Sequence, residues 1–161
     1  MSRVTSTVDL NRLSQAVQLR VKEIVEVNTG DLEMEAIRNA PGPGERIQTE
    51  HGAVSESDIR NGRWTPISQA IGYRISNSGY TGRVFVERSA GDIAAWVEFG
   101  TGQSAARYLS TVPARWREIA RRYYINGRGT IIGRPFLLPA FMKYSVIFQK
   151  ELKEVFRNIR V

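Results

Sequence analysis

The apolar residues of the N-terminal segment repeat with the period of an amphipathic helix. Between Asp9 and Val27 they are spaced three or four residues apart, which places them on one helix face. The following Asn28-Thr29-Gly30 predicts an end to this helix, because glycine readily adopts the left-handed conformation found just past helix ends. A short second helix is predicted after this stop, capped by Thr29 or Asp31 and with acidic residues near its positive end. The first helical stripe consists of Leu10, Leu13, Val17, Val21 and Ile24.

The period of the apolar positions changes to two in the middle of the chain. Ile71, Tyr73 and Ile75 alternate with small or polar residues, and Val84 and Val86 repeat the pattern a few residues later. The intervening residues 77–82 are rich in Asn, Ser and Gly, so the whole segment predicts a β-hairpin. The next apolar segment, residues 93–99, is compatible either with a short helix or with a strand.

The C-terminal part of the chain carries the clearest helical pattern. From Pro139 onward the apolar positions recur at steps of three and four, and another helix is predicted from Pro113 to Tyr124. The order of elements predicts an α+β fold, in which long N- and C-terminal helices pack on a small antiparallel β-sheet and a basic helical insert precedes the last helix. The stripe of the terminal helix is Phe141, Tyr144, Phe148, Leu152, Val155 and Ile159.

The length of 161 residues favours a single domain that covers residues 1–161. Two segments within it lack a clear periodic pattern. Residues 39–66 combine prolines, glycines and polar residues, and they predict a long, exposed and flexible loop of the kind that often contacts a partner. Residues 103–133 form the basic insert.

Composition excludes several kinds of chemistry. The chain has no cysteine and one histidine, His51, so thiolate nucleophiles, Cys-ligated metals and paired-histidine metal sites are excluded. No Walker-type phosphate loop occurs, and the apolar runs are far shorter than the roughly 20 residues that span a bilayer. The N-terminal residues lack the apolar stretch of a secretory signal. We therefore expect a protein that is not an enzyme, with no cofactor, no metal and no membrane partner.

Positive charge is concentrated in one part of the chain. The protein carries a net charge of +7, and residues 105–134 contain seven arginines against one glutamate. Guanidinium groups interleaved with aromatic residues suit a phosphate backbone or an acidic protein surface, although a solvated helix face explains the same pattern. The predicted basic interaction patch consists of Arg107, Arg115, Arg117, Arg121, Arg122 and Arg128.

Two short motifs carry a resemblance to a known family. Residues 95–102 read Ala-Trp-Val-Glu-Phe-Gly-Thr-Gly, and residues 133–140 read Gly-Arg-Pro-Phe-Leu-Leu-Pro-Ala. Together with Thr29-Gly30-Asp31-Leu32 and the amphipathic terminal helix, they resemble the tail-completion or head–tail joining (neck) family of long-tailed bacteriophages. The link between the two motifs is longer here than the family pattern has it. The motif residues are Glu98, Phe99, Gly100, Thr101, Arg134, Pro135, Phe136 and Pro139.

The resemblance implies a structural virion protein of the neck, assembled in the bacterial host cytoplasm. It implies a homo-oligomeric ring, hexameric or dodecameric, that joins the capsid connector to the tail and leaves a channel for DNA. The implied partners are the phage connector or head-completion protein and the tail-tube protein, with non-specific DNA contact in the channel. The alternative interpretation is a basic nucleic-acid-binding module, and an enzyme is a third.

The two motifs also suggest a specific contact. Glu98 lies between apolar Val97 and Phe99, so a buried carboxylate there would need a partner. Because Arg134 begins the second motif, we expect it to form an ion pair with Glu98.

Overall fold

A long helix, α1, opens the part of the chain that the computed structural model describes, which comprises residues 15–55, 65–121 and 128–158. Helix α1 runs without a break over Gln15–Asn39, so the predicted stop at Asn28-Thr29-Gly30 and the separate second helix predicted after it are both wrong. The side chains of Asn28 and Thr29 bond back to the carbonyl groups of Ile24 and Val25, at 3.0 and 2.5 Å, inside the helix. The glycine keeps a negative φ within the helix. The predicted start of the helix, residues 9–14, lies outside the described residues.

The segment predicted as a loop contains a small hairpin. Strands β1 (Ile47–Thr49) and β2 (Gly52–Val54) pair antiparallel. Thr49 also bridges to Ile131, and the amide of Ile132 donates to the carbonyl of Gln48 at 2.9 Å. The prediction of a flexible loop over residues 39–66 is therefore wrong for residues 47–54, because a distant segment of the insert supplies the pairing. Residues 56–64 lie outside the described residues.

The predicted central hairpin is confirmed. A four-residue helix, α2 (Ile67–Ala70), leads into β3 (Ile71–Ser76), which pairs antiparallel with β4 (Thr81–Val86). The hairpin packs directly on α1: a Cβ atom at Gly82 would stand 1.8 Å from the hydroxyl oxygen of Thr29. Only glycine fits at that crossing. Because Gly82 has no side chain, the sheet can pack directly against the helix.

Three short helices follow the hairpin. The ambiguous segment is helical as α3 (Gly91–Phe99), and the insert supplies α4 (Gly102–Thr111) and α5 (Ala114–Ala120). The predicted helix from Pro113 to Tyr124 therefore exists over a shorter range, and residues 122–127 lie outside the described residues. Helix α4 was not predicted as an element of its own, because its buried positions are few.

The terminal helix α6 (Leu137–Arg157) is confirmed and begins two residues before Pro139. It runs antiparallel to α1, since Asn28 bonds to Glu151 at 2.6 Å and Lys143 pairs with Glu35 at 3.0 Å. The core lies between these helices, the hairpins and α3. Its buried side chains include Ala36, Ile47, Ile67, Ile71, Ile93, Val97, Phe136 and Ala140.

The predicted fold class is thus correct: long terminal helices pack with small antiparallel sheets in an α+β arrangement. Within the described ranges, no helix has both the length and the apolar character that crossing a lipid bilayer requires.

Candidate functional site

The two motifs meet at the carboxylate of Glu98. This side chain, in the last turn of α3, is 3% exposed and is the only buried charged side chain among the described residues. One of its oxygens accepts hydrogen bonds from the amides of Phe136 and Leu137 at 2.7 and 2.8 Å, and the other accepts from Leu138 at 3.0 Å. Glu98 therefore caps the N-terminus of α6 from a different helix.

Pro139 completes the capping of α6. The first amides of any helix have no partner inside the helix. Three of these amides belong here to Phe136, Leu137 and Leu138. The next residue is a proline, which has no N–H group. All the donors at the start of α6 are therefore satisfied by one carboxylate. The negative charge also lies at the positive end of the helix dipole, where it is stabilising.

We call the contact of the two motifs around the Glu98 carboxylate the joint. Burial governs the ionisation of Glu98 in this joint. Removal from water raises the pKa of Glu98, and the three backbone hydrogen bonds oppose that change. Burial and the nearby charge of Glu98 raise the pKa of Tyr108 as well. The Tyr108 hydroxyl approaches the carboxylate without a hydrogen bond of ordinary geometry. Because backbone amides occupy both oxygens of Glu98, the carboxylate is suited to hold structure together rather than to transfer protons.

The predicted ion pair between Glu98 and Arg134 is not formed. The Arg134 side chain instead pairs with Glu45, and both partners are about half exposed. Its contribution to the joint comes from the backbone, since the Arg134 amide donates to the carbonyl of Val97 at 2.7 Å. The hydrogen bond from the Gly42 amide, and then the contact with Arg134, lower the pKa of Glu45.

A double-mutant cycle on Glu98 and Arg134 should therefore give no coupling. Exposed ion pairs contribute about 0–1 kcal/mol, so we expect Arg134→Ala to lower the free energy of unfolding by less than about 1 kcal/mol. Its effect should be the same in wild-type and Glu98→Gln backgrounds, whereas Arg134→Ala and Glu45→Ala should couple. Urea titrations of the single and double variants measure both cycles. A coupling above about 1 kcal/mol between Glu98 and Arg134 would contradict the arrangement.

The residues after Glu98 fix a close backbone crossing. Gly100 ends α3 with φ 74° and ψ −177°, and its amide donates to the carbonyl of Trp96 at 2.7 Å. A Cβ atom there would stand 2.8 Å from the amide nitrogen of Gly133, and one at Gly133 would stand 3.0 Å from that of Gly100. The two motifs therefore cross glycine against glycine.

Thr101 stabilises the same crossing through hydrogen bonds to Ile131. It is buried, its amide donates to the carbonyl of Ile131 at 2.9 Å, and its hydroxyl accepts from the Ile131 amide at 2.9 Å. Gly129, with φ 101°, leaves room for this hydroxyl. Residues 129–133 are therefore held in place by Thr101 and by β1.

Aromatic rings fill the space beside the joint. The ring of Phe99 lies 6.0 Å from that of Tyr108 and 6.2 Å from that of Trp116, and Trp116 stacks on Phe141 at 6.3 Å. Phe136 belongs to the main core and is 1% exposed. The insert is therefore anchored to the motif residues by a second small apolar cluster.

A cleft of about 550 Å³ opens next to the joint. Its walls include Val86, Ala95, Phe99, Trp116 and Leu137, and Arg88 and Asp92 also border it. This apolar lining suits a hydrophobic side chain of a partner better than a polar substrate. His51, the single histidine, is exposed in the turn between β1 and β2 and lies in neither feature.

The predicted basic patch is only partly a free surface. Arg107, Arg115, Arg121 and Arg128 are exposed, and none forms an ion pair with another described residue. Arg117 is half-buried and donates to the carbonyl of Val112 at 3.2 Å, so it has a structural role. Arg122 lies outside the described residues.

Several residues of the joint were missed by sequence reasoning. Tyr108, Trp116, Ile131 and Ser104 contribute to it, and the amide of Gly133 donates to the Ser104 hydroxyl at 3.1 Å. Tyr108 and Trp116 were noted only as aromatic residues among the arginines, and Ser104 and Ile131 gave no periodic signal. The paired glycines of the two motifs were a usable signal.

Comparison of the chain with protein-family models, curated proteins and solved structures finds no match in any of the three.

Proposed function

We propose that this chain is a non-enzymatic subunit of a ring at the head–tail junction of a long-tailed bacteriophage. The observation that carries the proposal is the joint at Glu98. The two motifs that resemble the neck family are about 35 residues apart in sequence, yet one carboxylate and one glycine crossing hold them together. Because the same contacts explain why both motifs are needed, they support a common fold with that family.

The proposed ring has six or twelve subunits and connects the capsid connector or head-completion protein to the tail tube. It is assembled in the bacterial host cytoplasm and resides in the virion neck. The long terminal helices are candidate surfaces for contacts between subunits, and the rest of each subunit borders the DNA channel or the neighbouring proteins. Cyclic rings need two different complementary surfaces on each subunit.

The exposed arginines favour an acidic neighbouring protein as their partner. Four exposed guanidinium groups on one insert, none in an ion pair with a described residue, provide bidentate donors for carboxylates. A channel that held DNA tightly through counterion release would slow its exit. The second candidate function, a nucleic-acid-binding module, is favoured by the same four side chains.

Native mass spectrometry and negative-stain microscopy of the purified protein, at moderate and high salt, test the proposal. Closed rings of six or twelve subunits are expected. A monomer that binds duplex DNA tightly would overturn the neck proposal and favour the nucleic-acid module.

Neutralising the exposed arginines should separate the two candidate functions. We expect the variant with Arg107, Arg115, Arg121 and Arg128 changed to Gln to fold and form rings, while phage that carry it accumulate heads without tails. The control changes the exposed hairpin residues Arg74 and Arg83 to Gln. Normal tail joining by the insert variant would contradict an acidic partner. A fall of roughly 3–4 in the slope of log affinity for DNA against log salt would favour the nucleic-acid module.

A further inference from the structure

Helix α1 exposes one continuous face to solvent. Leu19, Glu23, Glu26, Gly30 and Met34 are spaced four, three, four and four residues apart, so they share one side of the helix. Leu19 and Met34 are 63% and 59% exposed, and both glutamates are exposed. Val27, also exposed, borders this row. The face therefore combines large apolar side chains with acidic ones.

Gly30 is the residue of α1 that the subunit itself does not explain. Glycine weakens a helix interior relative to alanine, and here it adopts ordinary helical conformation. A Cβ atom at this position would meet no other atom within 4 Å. Nothing in the described part of the subunit requires a residue without a side chain at this position. A close neighbour packed on the outer side of α1 would require one.

Helix α6 exposes a matching face. Met142, Val146, Lys150, Lys153 and Arg157 are spaced four, four, three and four residues apart on the solvent side of the helix. Val146 is 66% exposed and Met142 is 49% exposed. The three basic side chains form no ion pair with any described residue. This face therefore combines large apolar side chains with basic ones.

We propose that the outer face of α1 in one subunit packs antiparallel on the outer face of α6 in a second copy of this chain. The two spacings are mirror images, so a single register brings every position of one row opposite a position of the other. Glu23 then faces Lys153, Glu26 faces Lys150, and Met34 faces Met142. Leu19 lies against the stem of Arg157, and Val146 projects onto Gly30, where the absent side chain leaves room.

The dimensions of the two rows agree with this contact. The end residues of each row are fifteen positions apart, which is about 22 Å at 1.5 Å per residue. A parallel arrangement would instead place Leu19 opposite Met142 and Glu23 opposite Val146, so that only Glu26 would lie near a basic residue of the other row. Glu23 already contacts Arg20 at 2.6 Å, and its second carboxylate oxygen is free to accept from Lys153.

The contact joins unlike surfaces, which makes it directional. Pairing of α6 with α6 would put lysine against lysine, and pairing of α1 with α1 would put glutamate against glutamate; like charges at close range disfavour both. A head-to-tail contact of this type generates a closed ring or an open chain. This contact specifies how the subunits of the ring proposed above are joined. It rests on that proposal only in assuming that the head-to-tail contacts close into a ring.

Charge reversal on each face tests the contact. One variant carries Glu23→Lys and Glu26→Lys, and a second carries Lys150→Glu and Lys153→Glu. Each alone should weaken self-association by roughly 100-fold or more, since like charges then face each other. An equimolar mixture should assemble again, with the two variants alternating and an even number of subunits. One chain that carries all four changes should also self-associate.

A matched control reverses exposed charges elsewhere, with Arg74→Glu and Glu87→Lys, and should associate as the wild-type protein does. Sedimentation and native mass spectrometry measure all of these species, and circular dichroism checks that each is folded. If either single-face variant assembles like wild type, or if the mixture stays monomeric, the contact is wrong.

Two further variants test the register itself. The chain has no cysteine, so a Met34→Cys chain mixed with a Met142→Cys chain should form the mixed disulfide upon mild oxidation, and neither should form its own disulfide as readily. Gly30→Leu should weaken self-association at least tenfold while the subunit stays folded, because the leucine occupies the space of Val146. Unchanged association of Gly30→Leu, or preferential disulfides within one variant, would overturn the register.

The outcomes separate this contact from the proposed function. Wild-type rings that persist in both charge-reversed variants would reject the contact and leave the neck proposal standing. Dimers or open chains that follow the mixing rule would support the contact and count against a closed ring. A wild-type protein that stays monomeric at high concentration would reject the contact.

Discussion

Replacing Glu98 by alanine is expected to lower the free energy of unfolding by about 3–5 kcal/mol. The change removes the carboxylate that accepts from the amides of Phe136, Leu137 and Leu138 at the start of α6. A buried donor left without a partner costs about 1–3 kcal/mol, and water entering the vacated space recovers part of the total. The effect should reach both motifs, since the carboxylate is the link between α3 and α6.

Conservative and distant replacements give this prediction its controls. Glu98→Gln keeps one carbonyl oxygen but turns an NH2 group toward at least one amide, so we expect an intermediate loss of about 1.5–3 kcal/mol. Glu87→Ala, at an exposed glutamate, should change stability by less than about 0.5 kcal/mol. Urea unfolding followed by circular dichroism measures all three. A loss below about 1 kcal/mol for Glu98→Ala would show that α6 is not capped by this side chain.

The elements with strong local patterns could be predicted from the sequence. Helix α6 and the β3–β4 hairpin follow from apolar spacings of three to four and of two residues, because each buries one face against the core. The prediction of a helix stop at Asn28-Thr29-Gly30 was wrong because tertiary contacts of these residues favour a continuous helix. Both polar side chains bond inside the helix or to α6, and Thr29 receives the hairpin at Gly82.

The features that escaped prediction depend on distant partners. Strand β1 is only three residues long and is completed by residues 130–132, about eighty positions away. The buried position of Glu98 was anticipated, but its partner was not. A carboxylate in sequence suggests an arginine, whereas backbone amides at a helix N-terminus satisfy it equally well and carry no residue identity. The motif residues were identified, and the chemistry that joins them was not.

Replacing Gly100 by alanine is the second large expected effect, with a loss of about 3 kcal/mol or more and a Tm lower by roughly 6–12 °C. The backbone angles of Gly100, φ 74° and ψ −177°, lie in a region that essentially only glycine adopts. A Cβ atom would also press on the amide of Gly133 at 2.8 Å, and backbone cannot move aside there as a side chain could.

Gly133→Ala tests the same crossing from the other motif, and Gly91→Ala is its matched control. A Cβ atom at Gly133 would meet the backbone of Gly100 and Phe99 at 3.0 Å, whereas one at Gly91 would meet nothing within 4 Å. We expect Gly133→Ala to destabilise, and Gly91→Ala to be neutral or to stabilise by up to about 1 kcal/mol. Thermal unfolding of the three variants distinguishes a tight crossing from a general sensitivity to glycine replacement. Equal Tm values for Gly100→Ala and Gly91→Ala would mean that the two motifs do not cross at contact distance.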